Sequence, residues 1–571
     1  MAWQASRMAV RRCSPRMLPV LILVPMLLLL LVRQLAPAAG PQRTGGPPPR
    51  ARVTDRAGTV PVIVREQAPA AGTAARLVRE LGGTVTRDLP VVGGFSARVP
   101  ASQLPALLGS PAIGQVWPDG PVGMRGLPRA DPTADSPVPV GAWHEVINLD
   151  GLGKDPGRAT VAMLDTGVSP TPDLGARMLA RVDLTEEHDG YDRYGHGSHL
   201  SGVIAGNGEM TDGRPGGARG GGYQGADPGA RLVSVKVANG TGATDVSVVL
   251  AGLQWVVSNR ARYGIRVLNL SFGTDAVQPY LVDPLDFAVE KVWRAGILVV
   301  VAAGNDGELG PGRLAKPADD PFVLTVGAAD FGSTRTPADD AVAPFSSRGP
   351  TVDGIAKPDL VAPGVSILGI RAKGSTIDRM RPAARFHRDY FKGTGTSQAA
   401  AIVSGVAARL YAADPALRPD EAKAVLVRTA QRHLSDQPGA GAGMVDARAA
   451  VEAVRDGAYH AGTVNQGLRP SKGTGDLEAS RGSQYAYTDL DGDGSIEPIV
   501  GEKDARGRAW DAAAWTATPW TRPTWSRSPW SRLVAETPGW GVTRWDGEDW
   551  AGMGWGDEPW QVKHWGVKHW G

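Results

Sequence analysis

Val161-Ala162-Met163-Leu164-Asp165-Thr166-Gly167-Val168 is an apolar run that ends in a carboxylate and a Thr-Gly turn. Such an uninterrupted aliphatic run reads as a strand covered on both faces. An Asp at its carboxyl end stands where sites form in parallel sheets. Working outward, similar runs occur at 231–237, 267–271, 297–302 and 323–328, and the first extends from 159 to 164. Between and after them, longer amphipathic stretches at 245–262, 286–295, 397–412 and 419–429 have helical spacing, with Asp245 and Asp286 placed to cap two of them. Strands alternating with helices predict an α/β domain with a parallel sheet over residues 140–455.

Three further segments bear chemistry. Tyr194-Gly195-His196-Gly197-Ser198-His199-Leu200-Ser201-Gly202 places a histidine between two glycines at the opening of a helix. Val299-Val300-Val301-Ala302-Ala303-Gly304-Asn305 is a buried strand ending in small residues and an amide. Gly393-Thr394-Gly395-Thr396-Ser397-Gln398-Ala399-Ala400-Ala401 turns tightly into an Ala-rich helix with a serine at its start. Singly, these are a turn Asp, a packed or metal-binding His, a turn Asn and an N-cap Ser. Together, Asp, His and Ser fall in the chain order of subtilisin, not that of chymotrypsin or the α/β-hydrolases.

With these four motifs the chain resembles the subtilase family of serine proteases over roughly residues 140–453. The resemblance implies that Ser397 is the nucleophile, His196 the general base and Asp165 the residue that orients the imidazole. It implies that Asn305 and the Ser397 backbone N–H bind the oxyanion, leaving His199 as a supporting helix residue. Ser271-Phe272-Gly273 and Gly240-Thr241-Gly242 match the segments that pair with an extended peptide, and Ala302, Ala303 and Gly304 would line the first specificity pocket, with an apolar or unselective preference. Two departures stand out: Gln398 occupies a position usually Met, and Ala401 one usually Pro. No cofactor is required for this chemistry, and the Gly-rich insertion 207–222 carries no recognisable calcium loop.

The amino terminus predicts export. Arg7, Arg11, Arg12 and Arg16 precede an apolar run from Met17 to Val32 and a small-residue stretch at Ala38-Ala39, so residues 1–39 read as a signal peptide, with a signal anchor as the alternative. The protein is thus expected to be secreted or held at the cell surface. Cys13, the single cysteine, lies in that segment, and a domain of this size has core enough to do without disulfides. Residues 40–57 form a Pro/Gly/Arg-rich linker, and residues 58–127 follow a β-α-β-β-α-β order typical of a small ferredoxin-like α+β domain. That domain resembles the inhibitory propeptide of many subtilases, which implies a zymogen cut between Asp119 and Asp135.

Residues 456–571 are Gly-rich and then Trp-rich, and the compact fold is expected to end near Ala453. Asp489, Asp491, Asp493 and Gly494 form the first half of a calcium-loop pattern, but Val500 replaces its final Glu; Glu497 or Glu502 is a substitute, and an acidic turn is the other reading. From Trp510 to Trp570 tryptophans recur in steps of five, interrupted at Ala535, which makes no single stripe on a helix or strand. Contact with cell-wall glycans or a membrane surface and a tail without a binding role both remain open. The net charge of +3 and the absence of a basic stripe interleaved with aromatics argue against nucleic acid as a partner. The polypeptide substrate and the chain's own propeptide are the partners expected.

Overall fold

The computed structural model describes residues 59–66, 72–89, 94–108, 110–118, 141–152, 158–211, 223–460, 464–483, 485–491, 493–518, 520, 544–545 and 554–555. The predicted export segment 1–39, the linker 40–57 and the expected cut between Asp119 and Asp135 lie outside the described residues. Among the described residues, no helix is long and apolar enough to cross a membrane. The chain divides into two compact units, Met1–Ala134 and Asp135–Gly571.

The smaller unit contains β1 (Thr59–Glu66), α1 (Thr73–Glu80), β2 (Thr84–Leu89), β3 (Gly94–Pro100), α2 (Leu104–Leu108) and β4 (Ile113–Pro118). Its sheet is antiparallel in the order β2-β3-β1-β4. Alternation decides which face is covered: Val62 and Val64 of β1 and Phe95, Ala97 and Val99 of β3 point to one side, where Ala74, Val78 and Leu107 of the helices meet them.

The larger unit is built on β5 (Thr160–Asp165), β6 (Met178–Asp183), α3 (His196–Ala205), β7 (Arg231–Lys236), α4 (Val246–Tyr263), β8 (Ile265–Leu270), α5 (Pro284–Arg294) and β9 (Leu298–Ala302). It continues with β10 (Leu324–Asp330), β11 (Ala341–Val342), β12 (Leu360–Pro363) and β13 (Ile367–Ile370). Then come a short helix at Thr376–Met380, β14 (Arg385–Phe386), β15 (Tyr390–Thr394), α6 (Thr396–Ala413) and α7 (Pro419–Thr429). The main sheet runs β11-β10-β9-β8-β5-β7-β6 with β12 beside β10, and only β11 is antiparallel. The fold is therefore the expected α/β class with a mostly parallel sheet. Every residue of β5 is buried, as its apolar run requires. The central helix α6 packs against the sheet through Ala399, Ala400 and Ala401, whose small side chains allow close approach.

One cap differs from the sequence expectation. Asp245 does cap α4, accepting from Ser247 N, but α5 is capped by Asp283, which accepts from Leu285 N at 2.7 Å. Pro284 at the first helical position favours the earlier start. Asp286 lies in the first turn instead, with its carboxylate 2.6 Å from the buried Lys316 ammonium.

The compact fold also extends beyond Ala453. Leu477, Ala486, Ile499 and Ala505 belong to the same core, Trp515 and Trp520 are buried and meet Phe287 with ring centroids 6.4 and 6.5 Å away, and Trp510 stands 5.4 Å from Trp515. Thr274 Oγ1 donates to Ser480 O at 2.7 Å, and Arg481 pairs with Asp245. Further on, Gly554–Trp555 pairs with Gly393–Thr394 of β15, and Arg544–Trp545 pairs with Ala486–Tyr487.

Candidate active site

β5 ends at Asp165, and α3 begins at His196, so the carboxylate and the imidazole meet at the carboxyl edge of the sheet. His196 Nδ1 lies 2.9 Å from Asp165 Oδ1 and 3.0 Å from Oδ2. A carboxylate accepts only, so Nδ1 carries the proton and Nε2 is left as an acceptor. Both glycines around His196 are required. Gly195 has φ 117°, and a Cβ on Gly197 would fall 2.2 Å from Gly167 O. Asp165 is further fixed by Thr166 N, which donates to Oδ1 at 2.8 Å.

α6 brings Ser397 to the same point from another part of the chain. Ser397 Oγ lies 3.1 Å from His196 Nε2 and 3.2 Å from Ser271 O, and Asp165, His196 and Ser397 are all buried. Its single hydroxyl hydrogen serves one of these acceptors at a time. Asn305 follows β9. Its Oδ1 accepts from Thr396 N at 3.0 Å and from Thr396 Oγ1 at 3.1 Å. A backbone N–H can only donate, so this contact fixes which end of the amide is oxygen and leaves the NH2 group as the end not held by Thr396.

Sequence reasoning does not single out Asp192. Its buried carboxylate accepts from Gly195 N at 2.6 Å, Ser198 N at 2.7 Å and Thr166 Oγ1 at 2.8 Å, thereby tying the turn before His196 to the turn after Asp165. Burial pushes the Asp192 carboxyl up, and the nearby Asp165 adds to this. An Asp four residues before a His carries no signal of such a role by itself. His199 is buried one turn along from His196. Burial, and then the neighbouring His196, hold its imidazole down at about 3, so it stays neutral.

The expected substrate segments lie near the triad in different states. Ser271 supplies the carbonyl beside Ser397 Oγ, Phe272 is buried, and Gly273 approaches Ala315 closely. In the second segment the N–H groups are engaged: Gly240 N donates to Glu187 Oε1 at 2.9 Å, Thr241 N to Asn239 Oδ1 at 3.0 Å and Gly242 N to Asn239 O at 2.9 Å. Pairing of a peptide there therefore displaces present partners or runs through carbonyl oxygens, of which that of Gly240 already accepts from Thr376 Oγ1 at 2.7 Å. Ala302 and Ala303 are fully buried at the end of β9, and Gly304 N donates to Thr396 Oγ1 at 3.2 Å.

Away from the triad, Asp489, Asp491 and Asp493 are exposed and offer oxygens within 4.8 Å of one another, the only such metal-competent group among the described residues. Glu497 Oε2 turns back to Leu490 N at 3.2 Å, whereas Glu502 accepts from Leu477 N and Glu478 N at 2.9 Å. Of the two substitute ligands, Glu497 is therefore the one directed at the loop.

The subtilase family profile (Peptidase_S8) matches residues 157–454. Serine protease AprX of Bacillus subtilis (strain 168) is 38% identical over 299 residues, covering 51% of this chain and 66% of that protein, just under two thirds. Subtilisin Savinase of Lederbergia lenta is 33% identical over 290 residues, 51% of this chain and 89% of the relative. An alkaline protease of Alkalihalobacillus alcalophilus is 32% identical over 356 residues, 62% and 78% of the two chains.

Proposed function

The chain belongs to the subtilase family, and from that premise we propose that it is a serine endopeptidase made as a self-inhibited zymogen. The observation that carries the reading is the hydrogen-bonded line from Asp165 through His196 to Ser397, at 2.9 and 3.1 Å. In this reading Ser397 Oγ attacks the scissile carbonyl while its proton passes to His196 Nε2. Asp165 stabilises the imidazolium, and the proton then goes to the leaving amine. The acyl-enzyme is hydrolysed by the same steps run with water as nucleophile. Developing charge on the substrate oxygen falls to the Asn305 NH2 group and the Ser397 N–H.

The β-α-β-β-α-β unit supports an inhibitory propeptide, whose last segment would lie as an added strand along Ser271–Gly273 and beside Gly240–Gly242. The basic and apolar amino terminus supports export to the cell surface or beyond. Asp489, Asp491 and Asp493, with Glu497, have the oxygen donors calcium takes; the ion would be structural, remote from the chemistry. For the tryptophans beyond Trp520, contact with cell-wall glycans or a membrane surface is the reading under test, against a tail with no binding role.

A fluorophosphonate tests the central assignment, because it labels only an activated serine. Mass spectrometry should place the adduct on Ser397, with none in Ser397→Ala. Failure to label, with full peptide hydrolysis sensitive only to chelators, would overturn it.

A further inference from the structure

Residues 371–392 hold seven Arg and Lys against two Asp, a local excess of +5 in a chain whose total is +3. This stretch leaves β13, passes through the short helix and β14, and returns along β15 to Ser397. Backbone contacts fix it against the segment before His196: Thr376 N donates to Arg193 O at 2.8 Å and Ile377 N to Tyr194 O at 2.9 Å. Thr376 Oγ1 donates to Gly240 O at 2.7 Å, and a Cβ on Gly195 would fall 2.6 Å from Ser375 Oγ. The basic stretch therefore borders both the catalytic histidine and the second substrate segment.

Between these parts lies a cavity of about 430 Å³ whose wall includes Asp189, Asp192, Arg193, Gly240, Lys373 and Arg379. Its acids are already engaged. Asp192 accepts two backbone N–H groups and the Thr166 hydroxyl, and Asp189 lies 2.6 Å from Arg193. The Asp residues of the basic stretch are committed too: Asp378 takes Arg371 and Arg385, each at 2.7 Å, and Asp389 takes Lys373. Arg379 is exposed and donates to Gly374 O and, at 3.2 Å, to Thr376 Oγ1. Among the described residues, no carboxylate forms an ion pair with it.

We propose that this cavity is a specificity subsite for an acidic side chain of the polypeptide substrate, at a position preceding the scissile bond. The proposal rests on the endopeptidase reading. Direction follows from the proposed maturation: a propeptide segment lying beside Gly240 and cut at Ser397 would present there the residues amino-terminal to the cut. A Glu or Asp carboxylate entering the cavity meets the Arg379 guanidinium, which offers a planar pair of donors, within a field made positive by Lys373 and the rest of the stretch. A Lys or Arg side chain meets like charge instead. Such complementarity acts mainly on selectivity and on encounter, and it weakens with salt.

The test uses mature enzyme and one neutral peptide carrying Glu, Ala or Lys in turn at each of the positions before the scissile bond. At one position kcat/KM for Glu should exceed that for Lys by about tenfold at low ionic strength, and the ratio should shrink several-fold in about 0.5 M salt. Arg379→Glu combined with Lys373→Glu should reverse the order, while Arg388→Glu, on the same stretch but off the cavity wall, should leave Glu preferred. Because each ratio is internal to one variant, a partial loss of folded protein does not move it; if the double variant is inactive, Arg379→Gln should still lower the ratio. A Glu-to-Lys ratio near one at every position, or one that ignores the charge reversal, overturns the subsite while leaving the peptidase standing. No hydrolysis of any peptide and no fluorophosphonate adduct on Ser397 would instead overturn the endopeptidase reading on which the subsite depends.

Discussion

Arg481 Nε donates to Asp245 Oδ2 at 2.7 Å with both side chains almost wholly buried, so a residue beyond the family-matched region holds the cap of helix α4. Replacing Arg481 by Met should destabilise the larger unit by about 3 kcal/mol or more, because the Asp245 charge is left buried without its partner. The double variant Arg481→Met with Asp245→Asn should recover part of that loss. Denaturant unfolding of the three proteins measures this, and a single-variant cost under about 1 kcal/mol would show that the pair holds little.

Ser397→Ala and His196→Ala should each nearly abolish peptide hydrolysis, and the double variant should be little worse than either alone, since the groups act as one unit. Steady-state kinetics against one peptide decide the matter; near-normal turnover in either single variant would remove the triad.

Asn305→Ala should lower kcat by about 100- to 1000-fold with a much smaller change in KM, since the amide acts on charge that develops in the transition state. Thr396→Ala removes the hydroxyl that donates to Asn305 Oδ1 at 3.1 Å and accepts from Gly304 N at 3.2 Å. As a positioning residue it should show a smaller kcat loss that Thr396→Ser restores. Equal effects on kcat and KM in Asn305→Ala would reduce that residue to substrate binding.

His199 gives a pH dependence with a definite sign. Its folded pKa of about 3 lies below the ordinary 6.5, so the unfolded chain binds the extra proton. The stability this confers is complete above pH 6.5 and is lost as pH falls toward 3, by up to about 5 kcal/mol. His199→Leu should flatten that acid limb in denaturation midpoints measured from pH 7 to 4. An acid limb of unchanged slope would assign it to other groups.

Maturation provides a separate test. Wild-type protein should appear as two fragments divided between Asp119 and Asp135, whereas Ser397→Ala should stay intact. The isolated 58–120 segment should inhibit mature enzyme. A segment that neither inhibits nor assists refolding would remove the propeptide role and leave the triad untouched.

The parts of this molecule that the sequence made legible share a physical cause. β5, β8 and β9 are buried on both faces, so their composition is constrained at every position, and the Asp, His, Asn and Ser motifs sit at element ends where glycines and small residues mark close approach. The same reasoning does not find β13, β14 and β15, which are short and antiparallel. Nor does it find Asp192, whose role depends on three donors that only the folded turn assembles. The packing of Trp515 and Trp520 on Phe287, with Trp510 against Trp515, was hidden for another reason. A five-residue repeat suggests uniform use, whereas the fold buries Trp515 and Trp520 in its core and packs a partly buried Trp510 against them.

The ties from Thr274 to Ser480 and from Asp245 to Arg481 join residues 206 and 236 positions apart, and they have a consequence in time. A chain emerging from the ribosome presents Asp165, His196, Asn305 and Ser397 well before residues 480 and 481 exist to brace the ends of the two segments beside them. The nascent protein therefore passes through an interval in which the four proposed site residues are present but the bracing of the segments next to them is unfinished. Long-separation contacts of this kind form late. The bracing of those two segments is thus fixed only after Asp165, His196, Asn305 and Ser397 have all been made.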